Sequence, residues 1–297
     1  MGHMTYKSAV DTASLVAIDT HVHIEVDHSG HAALPQALVD AASKYFKADG
    51  PRPGLDEIAQ LYRERHMAAV VFTVDATTSL HHAPISSEEI ARGASRNSDV
   101  LIPFGSVDPH RSDAATRMRR LAEDFGVRGF KFHPTVQNFD PSDPSFYPLY
   151  ELIQELGLPV IFHTGQTGIG AGLPGGFGLK LRLSNPLLLD DVAADFPALQ
   201  IVMAHPSVPW QDEALAVATH KANVWIDLSG WSPKYFPQNL VRQANSLLQD
   251  KVLFGSDFPL ITPDRWLKDF AALEVKEEVR PKILRENAIR LLGLRDW

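Results

Sequence analysis

Eight short apolar runs rich in β-branched residues recur along the chain, and each closes on polar or charged residues. They span residues 16–23, 69–75, 101–108, 127–133, 159–165, 200–205, 224–230 and 252–257. Nearly unbroken apolar runs of this length suit parallel strands buried on both faces. Segments with helical periodicity lie between them, at residues 112–125, 148–156, 186–196, 209–221 and 237–249, and residues 283–292 close the chain. Several open with proline, which the first helical turn tolerates because its N–H would go unpaired anyway. Ser86-Ser87-Glu88-Glu89 ahead of Ile90 reads as a capping box, with Ser86 as cap and Glu89 three residues later. Strands alternating with helices imply right-handed βαβ crossovers and a parallel sheet. Eight such units predict an α/β fold, a (β/α)8 TIM barrel. The alternative is a doubly wound open sheet, but no Gly-x-Gly-x-x-Gly follows the first run.

A chain of 297 residues, 44% hydrophobic, fits one such barrel, so residues 5–297 are expected to form a single domain. Met1-Gly2-His3-Met4 lacks a signal-peptide core and reads as a cloning remnant, so His3 is set aside. A net charge of −8 without a basic run argues against nucleic acid and anionic membranes as partners. The absence of cysteine removes disulfides, thiolate nucleophiles and zinc–thiolate sites together. The apolar runs are strand-sized, far short of a bilayer span. A soluble, cytoplasmic protein is expected, a homodimer by symmetry base rates.

Two connections exceed what a barrel needs. Residues 25–65 hold a polar loop (Asp27, His28, Ser29, Gly30, His31), a helix over 34–46 and a Pro-Gly break at 51–54. Residues 166–185 carry Gly168, Gly170, Gly172, Gly175, Gly176 and Gly178. Long loops in compact domains are usually functional or disordered. Both follow the C-terminal end of a strand, the face where barrel enzymes keep their chemistry.

The strand ends carry that chemistry. His21 and His23 stand two apart on the first strand and so share a face. The third run ends on Asp108, and the fourth brings Lys131 and His133 to one face. The fifth ends at His163, the sixth at His205, the seventh gives Asp227 and Ser229, and the eighth ends at Asp257. Side chains at these positions converge on one rim. Imidazole and carboxylate without sulfur suit Zn²⁺, Mn²⁺, Fe²⁺ or Co²⁺ and do not choose among them. Such an ion brings the pKa of a bound water towards neutrality, and a nearby histidine outside the ligand set can exchange its proton.

Asp19-Thr20-His21-Val22-His23, Phe162-His163-Thr164-Gly165, Ala204-His205-Pro206 and Gly255-Ser256-Asp257-Phe258-Pro259 resemble the amidohydrolase superfamily. The match is to its branch related to aminocarboxymuconate-semialdehyde decarboxylase, over almost the whole chain. The resemblance implies one divalent ion, zinc by default, held by His21, His23, His163 and Asp257. It gives His205 the acid/base role. Binuclear members of the superfamily place a carbamylated lysine where Lys131 falls, which would bridge a second metal and make His205 a ligand. The nearer relatives are mononuclear, so one metal is expected. Lys131 and His133 then face the substrate as cationic or hydrogen-bonding groups. A salt bridge from Lys131 to Asp108 or Asp227 is the plainer alternative.

Lys180 and Arg182, closing the glycine-rich loop, are expected to meet an anionic substrate, and Trp231 to wall the pocket. His28 and His31 are left without a role. This lid and the Lys131/His133 pair favour a metal-dependent hydrolase acting on a bulky anionic carbonyl substrate. The resemblance extends to hydrolases of 4-hydroxyphenyl-β-ketoacyl-CoA type, which cleave a C–C bond and release an aromatic acid. The alternative is a metal-dependent non-oxidative decarboxylase of an aromatic or muconate-type acid. An inactive ligand-binding barrel would have lost a ligand, and none of His21, His23, His163 or Asp257 is lost.

Overall fold

The computed structural model describes residues 5–46 and 52–294, so the expected cloning remnant lies outside the described residues. All eight runs form parallel strands: β1 (Ala17–His23), β2 (Met67–Phe72), β3 (Leu101–Pro103), β4 (Phe130–Phe132), β5 (Val160–His163), β6 (Ile201–Ala204), β7 (Val224–Asp227) and β8 (Val252–Leu253). Consecutive strands pair within β1–β3 and within β4–β8. Two bridges close the ring. Gly105, beyond β3, lies beside Phe130 of β4, and Val22 of β1 lies beside Phe258 beyond β8. The Thr20 and His23 amides donate to the Phe254 and Phe258 carbonyls, and Asp257 N–H donates to His21 O. The doubly wound alternative is thereby set aside.

The expected runs overshoot the ladder at their C-terminal ends: 101–108 shortens to Leu101–Pro103 and 252–257 to Val252–Leu253. The residues beyond the ladder leave extended geometry and form the rim. His205 and Asp257 both sit in the left-handed region, with φ of 72° and 70°, which non-glycine residues rarely adopt outside functional or tightly determined sites.

Strand residues alternate between two apolar clusters. Ala17, Ala69, Leu101, Phe130, Val160, Ile201 and Val252 pack with helix residues such as Ile58, Ile90 and Leu121. Ile18, Val70, Ile102, Ile161, Val202 and Leu253 form the second, with Ala288 and Leu292 from the C-terminal helix. The first cluster is the sheet–helix layer and the second the barrel interior. In β1 the register shifts between Asp19 and Val22. Strict alternation from Ile18 would send His21 to the helix side. The bulge re-aims His21 and His23 inward while Val22 joins the outer cluster.

The first long connection contains α1 (Gln36–Phe46), close to the expected 34–46, and a second helix, α2 (Leu55–Glu64), which periodicity did not single out. Glu57 accepts from the Gly54 amide at its start at 2.7 Å. A further unanticipated helix, Pro263–Ala271, is capped by Thr262. The expected capping box forms by half. Ser86 Oγ accepts from Glu89 N–H at 3.3 Å, but the Glu89 carboxylate turns away to take the His28 amide at 2.9 Å. The closing segment splits into a π-turn, Lys282–Glu286, and a helix, Asn287–Leu292. Among the described residues, no helix is long and apolar enough to cross a membrane.

Candidate metal centre and its cavity

The β1 bulge is locked by Asp19. This buried carboxylate accepts from the His21 amide at 3.1 Å and the Ser256 amide at 2.9 Å, and Tyr62 of α2 donates its hydroxyl at 2.6 Å. One side chain on the outer face thus ties the His21 backbone to the residue before Asp257. Burial pushes the Asp19 carboxyl up to about 6, against the pull of the Ser256 and Tyr62 hydrogen bonds.

Inside the rim, His21 Nδ1 lies 2.8 Å from Asp227 Oδ2. The carboxylate takes a proton on Nδ1, which leaves the lone pair on Nε2. That Nε2 stands 3.2 Å from His23 Nε2 and 3.5 Å from Asp257 Oδ1, and His23 Nε2 stands 3.2 Å from the same oxygen. His21, His23 and Asp257 form one such cluster of metal-competent atoms among the described residues. A ligand imidazole whose other nitrogen is fixed by a carboxylate is the usual support of a metal-binding histidine. Donor set and tautomer therefore both fit a divalent ion. The second cluster, Asp27, His28 and Glu89, lies at the surface of the first long loop, with His28 paired to Glu89 at 2.9 Å.

His163 falls outside the trio of mutually close atoms. Its Nδ1 is 2.9 Å from His205 Nε2, while its Nε2 is buried without a hydrogen-bond partner. A buried polar atom left open in this way suits a ligand position. His133 stacks on His163, with ring centroids 3.7 Å apart and planes 10° apart. His205 is fixed from both sides, by His163 and by Ser229 Oγ at 2.9 Å from Nδ1. Gly230 follows with φ 74°, and a Cβ there would come within 2.6 Å of His205 Nδ1, so only glycine lets the chain pass this close.

Burial is the largest influence on His21, His133, His163 and His205 and lowers all four, His21 to about 3. The Lys131 ammonium adds to the effect at His21 and His133. Burial by itself raises Asp227 and Asp257, but the imidazoles beside them hold both carboxyls well below the usual range.

A cavity of about 330 Å³ opens on this rim. His23, His133, His163, His205, Asp257 and Trp231 line it, while His21 is fully buried and does not. Three expected contacts fall elsewhere. Lys131 is wholly buried and does not line the cavity. Its Nζ lies 3.2 Å from His21 Nε2 and 5.0 Å above the Phe72 ring, and burial draws it down to about 8 against the pull of Asp227 and Asp257. Its place on the strand is inward, but His21 lies over it. Lys180 and Arg182 are exposed and outside the cavity, because the turn Leu181–Ser184 buries Leu183 and Ser184 and leaves Arg182 and the preceding Lys180 in solvent. His31 stacks on His82 and also stays out of the lining. Sequence reasoning missed Asp227 as the His21 partner, Ser229 beside His205, and the Asp19–Tyr62 clamp. Asp227 and Ser229 carried a signal, as polar residues two apart on a strand end.

A closed parallel barrel with histidines and an aspartate gathered at the C-terminal rim defines a class, the metal-site barrel enzymes. Residues 18–294 match the family described as amidohydrolase, and the chain belongs to that family. The chain is 22% identical over 248 residues to the 2-amino-3-carboxymuconate-6-semialdehyde decarboxylase of Dictyostelium discoideum, covering 73% of this chain and 67% of that one. It is 23% identical over 269 residues to the gamma-resorcylate decarboxylase of a Rhizobium strain, covering 76% and 80%. Among solved structures it resembles an uncharacterized TIM-barrel protein of Bordetella bronchiseptica, with a TM-score of 0.76, 24% identity and coverage of 95% and 99%. It also resembles a dihydroxybenzoic acid decarboxylase of Polaromonas with bound manganese, with a TM-score of 0.66, 18% identity and coverage of 95% and 98%. At these identities the structural likenesses speak for the fold.

Proposed function

We propose that the chain is a metal-dependent, non-oxidative decarboxylase of an aromatic or muconate-type carboxylic acid. The observation that carries this reading is His205, clamped between Ser229 and His163 on the same cavity wall as His23 and Asp257 of the metal-competent cluster. Both curated relatives named above are decarboxylases, which supports it. Lys180 and Arg182, the loop cations that would suit a bulky anionic substrate for hydrolysis, stand outside the cavity.

His21, His23 and Asp257 are the proposed metal ligands, with His163 as the fourth through its unpartnered nitrogen. A divalent ion held there would take the acid's carboxylate or phenolate oxygens and draw charge from the bond to be broken. Zinc and manganese both suit these donors, and a manganese-bound decarboxylase of the same fold makes manganese the first ion to try. Asp227 holds His21 in the tautomer that presents Nε2. His205 supplies the proton. The carbon–carboxyl bond breaks, its electron pair stays on the carbon, CO₂ leaves, and the carbon takes a proton from the His205 ring. Ser229 Oγ, 2.9 Å from Nδ1, and His163, 2.9 Å from Nε2, hold the His205 ring in place for that transfer. Burial makes protonated His205 a stronger acid than free histidine, which favours that transfer. Lys131 lies beneath His21 and sets the electrostatics of the ligand cluster from below.

The test is a product analysis. Manganese- and zinc-loaded protein is incubated with hydroxybenzoates and, separately, with an aryl β-ketoacyl thioester, and products are identified by mass. CO₂ release from the acids is expected. Thioester chain cleavage with no CO₂ from any acid would replace this reading with hydrolysis.

A further inference from the structure

The cavity has two kinds of wall. One is the rim of histidines and Asp257. The other comes from the long connections: Leu34, Val39, Ala42 and Phe46 on or beside α1, and Ile169 from the glycine-rich loop. The two connections touch. A Cβ on Gly168 would come within 2.4 Å of the Phe46 ring, so the glycine lets the loop lie directly against the end of α1. A space of about 330 Å³ is at the lower end of pockets that hold whole ligands, and more than one bare hydroxybenzoate ring requires.

Charge in this second region is already spoken for. Arg52 is the one guanidinium or ammonium among the described lining residues. Its Nε lies 2.7 Å from Glu25 Oε2, and it donates to Ser43 Oγ at 3.0 Å. A second substrate carboxylate would have to compete with Glu25 for it. Breaking a half-buried ion pair leaves a carboxylate uncompensated, which is costly.

Resting on the decarboxylase reading, we infer that the preferred acid is a monocarboxylate with an apolar substituent directed at α1, and not a dicarboxylate. The rim takes the carboxyl end, and the α1 wall takes the alkyl or aryl extension.

Calorimetric binding to metal-loaded protein tests this with four probes: salicylate, its propyl and pentyl derivatives substituted para to the carboxylate, and hydroxyterephthalate. Dissociation constants should fall about twofold to fourfold per added methylene. Hydroxyterephthalate should bind more weakly than the propyl compound. Val39→Trp, which fills the α1 side, should abolish the chain-length gain. The wild-type series decides by itself should that variant fail to fold. Equal affinity along the alkyl series, or hydroxyterephthalate as the tightest ligand, would overturn the inference. CO₂ release is followed in parallel. A chain-length gain without CO₂ supports this inference and defeats the decarboxylase reading; CO₂ without the gain does the reverse.

Discussion

The rim and the α1 wall line the same cavity but are built on opposite principles. At the rim nearly every polar atom answers another, His21 to Asp227 and His205 to Ser229 and His163, and behind it on the outer face Asp19 answers Tyr62 and Ser256. These groups hang from strand ends whose backbone is held by the barrel. The α1 wall is apolar, carries one ion pair, and comes from two connections outside the sheet. A preorganised rim fixes which bond can be worked on. An apolar wall on loops and a helix sets which molecule fits, and it can change without disturbing the chemistry.

The sharpest way to break this division is to remove one proposed ligand at the rim. Asp257→Ala should lose bound metal and essentially all turnover, with the far-UV circular dichroism of the barrel intact. An active variant, or one that keeps its metal by elemental analysis, would refute the ligand assignment. His205→Asn should come next, with kcat reduced about 10²–10⁴-fold and metal content unchanged. Loss of metal together with activity would make His205 a ligand and revive the binuclear alternative.

Lys131 separates those alternatives further. As a buried ammonium under His21, it should give way to methionine with one metal per chain retained and stability equal or higher, since apolar replacement of a buried charge is often neutral or favourable. If Lys131→Met drops the metal content from two to one, a carbamylated bridge is the right description.

The rim also predicts how metal-free protein answers acid. His21, His133 and His163 are lowered in the folded protein, while unfolded histidines titrate near ~6.5. Below that pH the unfolded chain binds protons the native rim refuses, so stability falls as pH drops from about 6.5 towards the native values, about 3 for His21. Urea midpoints between pH 7 and 5 should decline, and a flat profile would mean the imidazoles are more hydrated than the structure indicates. The smallest effect belongs to the two cations at the end of the glycine-rich loop, which stand outside both walls. Lys180→Ala and Arg182→Ala should leave kcat/KM within about twofold and stability within about 0.5 kcal/mol. A larger loss would bring these two cations back into substrate binding.

Much of the fold was legible because its signals are local. The eight strands announce themselves by apolar run and polar end, and His21, His23, His163, His205 and Asp257 were recognisable because they fall at those ends. The helices at Leu55–Glu64 and Pro263–Ala271 were not, the first lying inside a stretch that read as a loop with a Pro-Gly break. Lys131 was read correctly as inward but wrongly as accessible, since period-2 alternation gives a face and not a depth. Lys180 and Arg182 were read as lid charges from composition, which carries no information on which side of a turn they emerge.

The sequence alone determined the barrel, the order of its strands and the spacing that puts His21 and His23 on a common face. Which face that is was decided only by the bulge between Asp19 and Val22, locked through Asp19 to Ser256, 237 positions away. The partner that orients His21 likewise lies 206 positions along the chain, at Asp227. Periodicity reports on neighbours within a strand, but contacts between strand ends exist only once the barrel has closed, and the chemistry of this rim is made of such contacts.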